Sequence, residues 1–222
     1  MSLGKVIRRL LGPAFPALGR LYRSIFIDLA MVADCFPPVP SGSRILDIGG
    51  GDGEILNGVL ARRPDIRVMM IDIASSIGTS LKPEFRDRVM VLPSTSLEAY
   101  QAGNDAFPDC ILLSCVLHHI PVHERQAFFR HLREFVRGRP VEIVVLDVEP
   151  GHLRSRLGLL SDKYITGDRQ VVLISRKQVI ELMRNSFPKA PWRETCLYDR
   201  DKPNYCLVFK VPGPVPGLST GQ

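Results

Sequence analysis

The most chemically pointed stretch of the chain is RILDIGGGDG, residues 44–53, in which Asp47, Gly49, Gly51 and Gly53 recur at alternate positions. Glycines at that spacing let a tight turn adopt backbone angles closed to other residues, and they let the backbone approach a ligand with no Cβ in the way. A dinucleotide loop spaces its glycines as G-x-G-x-x-G and seats a pyrophosphate on a helix N-terminus. Here the spacing differs, and carboxylates stand at Asp47 and Asp52. Negative charge in the loop disfavours a phosphate and favours a ligand with an amine or a cation. NAD is therefore not expected to bind.

The loop must be held at the end of a strand, and the flanking pattern supplies one. EILNGVLARR (54–63) has apolar residues at 55, 56, 59 and 60, the spacing of a helix face. IRVMMIDIA (66–74), RVMVLP (88–93), DCILLSCVL (109–117) and VEIVVLDV (141–148) are nearly continuous apolar runs, as expected of buried parallel strands. HERQAFFRHLREFVR (123–137) reads as a helix with Phe128, Leu132 and Phe135 on one face. A further helix over 175–187, N-capped by Ser175, precedes two strands, 192–200 and 204–211, separated by the turn RDKPN. Parallel strands need crossover helices. The expected fold is thus α/β: a doubly wound, mostly parallel, seven-stranded Rossmann-like sheet ending in an antiparallel hairpin, with helices on both faces.

At 222 residues the chain suits one large domain of this kind over 41–211. Residues 1–40 are expected to form a helical cap, since Leu18, Leu21, Tyr22, Ile25, Phe26 and Leu29 share a helical face. The stretch 150–174 is far longer than an ordinary αβ loop and stands where such sheets bind ligands, so it is expected to be a substrate lid. The Pro/Gly-rich end, 212–222, is expected to be mobile. No apolar run reaches the roughly eighteen residues of a membrane span, and Pro13 and Pro16 break the only signal-like stretch. Five cysteines without a C-x-x-C pair read as reduced thiols, and no metal site is expected. These features point to the cytoplasm. Basic charge sits in the flanks: residues 1–40 hold five Lys/Arg against two Asp/Glu, and residues 150–222 hold twelve against six. Such flanks could steer an anionic substrate, a membrane surface or nucleic acid.

Three motifs in order carry a family likeness. ILDIGGGDG, MMIDIA and FPDCILLSCVLHHIP resemble the first motif, the acidic end of the second strand and the fourth strand with its Leu-His-His turn in class I S-adenosylmethionine-dependent methyltransferases. The resemblance implies S-adenosyl-L-methionine as cofactor, with S-adenosyl-L-homocysteine as product. It implies that Asp47 holds the methionine amino group and that backbone around Gly49, Gly50, Gly51 and Gly53 accommodates the methionine and ribose portions. By the same likeness Asp72 takes the ribose hydroxyls, Ile73 packs on the adenine face, and Ser114 lines the methionine side. The family usually has an acid after the third strand to accept from the adenine amino group. This chain offers Pro93, Ser94, Thr95 and Ser96 there, so a hydroxyl or backbone carbonyl of Ser94 or Thr95 must substitute.

For the acceptor, the resemblance narrows to small-molecule O-methyltransferases, in which a histidine in a Leu-His-Asp-Trp context acts as general base. His118 is the matching position, His119 stands where that subgroup has Asp, and Asp147 matches the acid that orients the histidine. An imidazole suits proton removal near neutral pH. His119, His152, Arg154 and Tyr164 are the candidate substrate contacts, and Arg154, Arg156, Lys163 and Arg169 could recognise an anionic acceptor. No Asn/Asp-Pro-Pro-Tyr signature of amide or adenine methylation follows the fourth strand. The expected function is methyl transfer to a small hydroxylated acceptor, acidic or amphipathic in character. An RNA methyltransferase is the alternative drawn from the basic flanks, though 7% aromatic content and one tryptophan make a poor stacking platform. A non-catalytic cofactor-binding protein is the third reading, and a lipid-surface role for the basic N-terminal helix is a variant of the first.

Overall fold

Five parallel strands form where the apolar runs predict them: β1 (Arg44–Ile48), β2 (Arg67–Ile71), β3 (Val89–Leu92), β4 (Cys110–Ser114) and β5 (Val141–Val148). The structure, a computed structural model, describes residues 36–100, 107–153, 155, 156, 159, 170–196 and 203–213. Two further strands, β6 (Trp192–Cys196) and β7 (Asn204–Val211), complete a seven-stranded sheet of order β3-β2-β1-β4-β5-β7-β6. The expected antiparallel pair is there, with β7 inserted between β5 and β6 and antiparallel to both. Strand order reverses beside β1, between β2 and β4, and ligands of open α/β sheets bind at such a switch point, beyond the carboxyl ends of the strands.

Among the described residues three helices cover the two faces: α1 (Glu54–Arg62), α2 (Arg125–Val136) and α3 (Arg176–Ser186). Because side chains alternate along a strand, Ile45, Met70, Leu112 and Val144 point to the face closed by Leu56, Val59 and Leu60 of α1. Leu46, Ile111, Val145 and Leu207 point to the other, against Phe129 and Leu132 of α2 and Val179 and Met183 of α3. Each such fully buried side chain contributes roughly 1.5–3 kcal/mol. α3 begins with the predicted cap: the Ser175 hydroxyl accepts from the Gln178 amide, and the Gln178 side chain reciprocates at the Ser175 amide.

Some expected details differ. The buried stripe of α2 is 125, 129, 132 and 136, while Phe128 and Phe135 lie at its margin. Phe135 stacks on Phe107 at 5.3 Å between ring centroids, so the connection before β4, and not the sheet, sets its place. β2 ends at Ile71 and β4 at Ser114, a few residues short of the apolar runs, because Asp72 and Cys115 turn the chain into the ligand loops. Residues 36–40 carry no helix and lead into β1 with Val39 buried. The expected helix over 18–29, the turn before Pro203, the tail beyond Gly213 and most of the expected lid lie outside the described residues. No helix among the described residues is long and apolar enough to cross a membrane.

Candidate active site

The glycine loop leaves β1 at Ile48 and is packed too tightly for side chains at Gly49, Gly50 and Gly53. Gly49 adopts φ +73°, and a Cβ there would lie 2.2 Å from Val116 Cγ2. A Cβ on Gly50 would lie 2.4 Å from Asp47 Oδ2 and 2.7 Å from the Met70 terminal methyl. Gly49 donates its amide to the Ile71 carbonyl at 2.8 Å, and Gly53 donates to the Gly50 carbonyl at 3.1 Å and precedes α1. The loop therefore curls over the ends of β1 and β2 with its backbone bare.

Its two carboxylates have different tasks. Asp52 accepts from the Glu54 amide at 3.2 Å and from the Ser80 hydroxyl at 3.1 Å, so it caps α1 and ties the loop to the segment after β2. Asn57 of α1 reinforces that tie, donating to the Ser80 carbonyl and accepting from the Lys82 amide. Asp47 is only 1% exposed, and its Oδ1 has no hydrogen-bond partner. Burial first, and the negative charge of Asp72 second, push its carboxyl up to about 7. A buried carboxylate with an unpartnered oxygen is costly alone and would be stabilised by a cation beside it. Of the two acids in the loop, Asp47 alone has this unmet demand.

Asp72, just past β2, organises the neighbouring rim. Its carboxylate accepts from the Gly51 amide at 3.0 Å and from the Ala74 amide at 2.9 Å. Its carbonyl accepts from the Thr95 amide, and the Ala74 carbonyl accepts from the Ser94 amide. The glycine loop and the loops after β2 and β3 thus form one hydrogen-bonded edge. Ile73 stands in that edge with 79% of its surface exposed, apolar area with no cover among the described residues. Ser94 is exposed with φ +53°, and the Thr95 hydroxyl donates to its own loop at the Pro93 carbonyl.

Beyond β4 the chain makes an abrupt turn. Ser114, buried, ends the strand, and Cys115 takes φ +52° while its amide donates to the Leu146 carbonyl at 2.7 Å. A left-handed non-glycine residue costs of order 1–3 kcal/mol and persists only where the surroundings enforce it. Here it sets Val116 over Gly49 and starts a single 3₁₀ turn, Leu117–His119. His118, 5% exposed, reaches across to the end of β5, where its Nδ1 lies 2.6 Å from Asp147 Oδ1. That oxygen also accepts from the Val148 amide at 2.8 Å, so the carboxylate is the acceptor and Nδ1–H the donor. With Nδ1 committed, any base chemistry falls to Nε2. The exposed His119 ring lies beside that of His118, 4.3 Å between centroids.

The structure therefore places Asp47, the glycines, Asp72, Ile73, Ser94 and Thr95 round the ends of β1 to β3, and joins His118 to Asp147 next to them across β4 and β5. His152 is half-buried in a short turn whose carbonyl accepts from the Ser155 hydroxyl. Arg154, Tyr164, Lys163 and Arg169 lie outside the described residues. Arg156 is exposed. Among the described residues no group of three His, Cys, Asp or Glu could hold a metal ion. Three participants escaped the sequence reading: Val116 over the glycine loop, Tyr205 opposite Asp147 in β7, and Arg125 behind the histidine turn. For Arg125 a signal existed, since it occupies the apolar stripe of α2 at 125, 129, 132 and 136.

Residues 22–187 match the sequence model of a methyltransferase domain. The chain belongs to this methyltransferase family. Solved structures share its fold at low identity. Human N-acetylserotonin methyltransferase, solved with S-adenosylmethionine, is 15% identical, TM-score 0.65, over 96% of this chain and 59% of its own. An O-methyltransferase from neocarzinostatin biosynthesis, solved with S-adenosyl-L-homocysteine and 1,4-dihydroxy-2-naphthoic acid, is 18% identical, TM-score 0.62, over 93% of this chain and 61% of its own. The CurJ carbon methyltransferase is 13% identical, TM-score 0.62, over 91% and 61%. The chain thus spans about three fifths of the length of these proteins. The family's sulfonium cofactor carries an ammonium group, and the orphaned Asp47 oxygen fits such a ligand. The bare glycine backbone, the Asp72 rim and the exposed Ile73 fit the rest of a nucleoside. S-Adenosylmethionine is the cofactor this site suits.

Proposed function

We propose that this methyltransferase transfers a methyl group from S-adenosylmethionine to the hydroxyl of a small acceptor, with His118 as general base and Asp147 as its orienting partner. The observation that carries the reading is the buried Nδ1 to Oδ1 contact of 2.6 Å between the β4 turn and the end of β5, beside the cradle built by β1 and β2. When bound, the cofactor supplies an electrophilic methyl carbon on a sulfonium. Asp47 would hold its ammonium group, the backbone of Gly49 to Gly53 would admit its chain and ribose, Asp72 would accept from the ribose hydroxyls, and Ile73 would cover one adenine face. His118 takes the acceptor's proton at Nε2, and the Asp147 carboxylate stabilises the imidazolium that results. Burial of the pair strengthens that electrostatic support by excluding water.

A small acceptor suits the site better than nucleic acid, because the described surface offers one part-exposed tryptophan and no run of aromatic side chains among basic ones. Cofactor-loaded protein is to be incubated with pooled hydroxylated metabolites and read for a methyl mass increment. The reading expects a product whose formation falls about 10²–10⁴-fold in His118→Ala, with cofactor affinity held within a few-fold. Near-normal turnover in a folded His118→Ala would return the Leu-His-His turn to a structural role.

A further inference from the structure

Arg125 opens α2 on that helix's buried stripe and is only 4% exposed, an expensive place for a permanent charge. Its guanidinium is spent on two carbonyl groups from different parts of the chain. Nε donates to Ile120 at 3.1 Å, immediately after the histidine turn, and Nη2 donates to Val172. Val172 in turn donates its amide to the His118 carbonyl at 3.0 Å. The Tyr205 hydroxyl, buried in β7 opposite Asp147, donates to the Ile174 carbonyl at 3.0 Å. Residues 172–174, where the chain returns from the long segment after β5, are thereby fastened to the turn that carries His118 from one side and to Asp147's neighbour strand from the other.

From this arrangement we infer that Arg125 is a positioning residue for the His118–Asp147 pair: its fork locks the histidine turn to the 172–174 return, and its charge completes the buried set around Asp147. The inference rests on the reading of His118 as base for its functional meaning, while its geometry stands apart from it. Burial holds Arg125 below the usual arginine range, and the Asp147 carboxylate opposes it by favouring the charged guanidinium. The titratable and charged groups gathered round the pair are Arg125 from α2, Tyr205 from β7, Glu149 past the end of β5, and Cys115 and His119 from the turn itself. Arg125 is the one cation among them that holds its charge throughout the range in which an imidazole titrates.

The fork and the charge separate by substitution. Arg125→Met keeps the apolar stem and removes both functions, whereas Arg125→Lys keeps the charge and cannot reach two carbonyls with a planar fork. The full-length protein loaded with S-adenosylhomocysteine is followed by NMR, so no acceptor is needed, and the His118 ring signal is assigned by its loss in His118→Gln. In Arg125→Met the His118 titration should move to higher pH by about half to one and a half pH units, as loss of a nearby cation in a partly screened site requires. Exchange of the Val172 amide should quicken about tenfold, the worth of one lost hydrogen-bonded tether. In Arg125→Lys the titration should stay near its original position while Val172 exchange still quickens. A folded Arg125→Met with unchanged His118 titration and unchanged Val172 exchange would overturn the inference. If instead those shifts appear but His118→Ala keeps full turnover, Arg125 positions the turn and the base assignment is what fails.

Discussion

Replacing Asp47 by Asn tests the cofactor cradle at its most demanding point. The Asp47 carboxyl is held up to about 7 in the folded protein against 3.8 in an unfolded chain, first by burial and second by Asp72. Between those two values the native state binds the extra proton, so stability of the cofactor-free protein falls as pH rises through that window. The fall is bounded by about 4 kcal/mol, from roughly three pH units at about 1.4 kcal/mol each. Asp47→Asn carries no charge to desolvate, so its stability should lack this slope and exceed that of the parent at pH 8 in urea unfolding. Cofactor binding should show the opposite trend. Because an ammonium partner needs the ionised carboxylate, calorimetric affinity for S-adenosylhomocysteine should rise about tenfold per pH unit between 5.5 and 7 and then level off. In Asp47→Asn it should be flat across that range and, at pH 7.5, weaker by about 1.5–3 kcal/mol, the range for a lost charged hydrogen bond. Parent affinity that does not vary with pH, or an Asn variant that binds as tightly as the parent at pH 7.5, would refute the argument that Asp47 waits for a cation.

Other expectations follow from the same geometry. Asp72→Ala should weaken S-adenosylhomocysteine binding by about 1–3 kcal/mol in calorimetry, since it removes the brace on Gly51 and the acceptor proposed for the ribose. Gly49→Ala, with a Cβ forced against Val116 at a positive φ, should abolish measurable cofactor binding and lower the melting temperature; retention of both would mean that Val116 can withdraw from the loop. NAD should give no heat of binding with the parent protein under conditions that saturate S-adenosylhomocysteine. Ser175→Ala, which breaks the cap of α3, should cost about 1 kcal/mol in urea unfolding and leave cofactor affinity unchanged.

Much of the architecture was written locally. Near-continuous apolar runs can be buried on both faces only in a parallel sheet, which is why β1 to β5 appear within a few residues of their expected places. The reciprocal Ser175–Gln178 cap is also local, set by two residues three apart. The alternate glycines after Asp47 foretold a bare backbone loop: a Cβ at Gly49 or Gly53 would run into Val116 or Leu81, and Gly51 holds a positive φ. Strand ends were less legible, since Asp72 and Cys115 leave the sheet for hydrogen bonds to distant loops that apolar periodicity does not register.

What the tertiary structure alone decided concerns pairs far apart in the chain. The family likeness paired His118 with Asp147, but their contact across 29 residues depends on β4 and β5 pairing in parallel with Ser114 opposite Leu146, a register that the motifs do not encode. The division of labour between the two loop acids was equally hidden: Ser80 and the α1 amide claim Asp52, while burial leaves an Asp47 oxygen without a partner. The stripe of α2 placed Arg125 inward, yet only the folded chain shows which carbonyl groups receive it. Periodicity reports which side of an element is buried, because that depends on neighbours along the chain. Which partners meet there depends on strand order and register, and those are settled by the packing of the whole sheet.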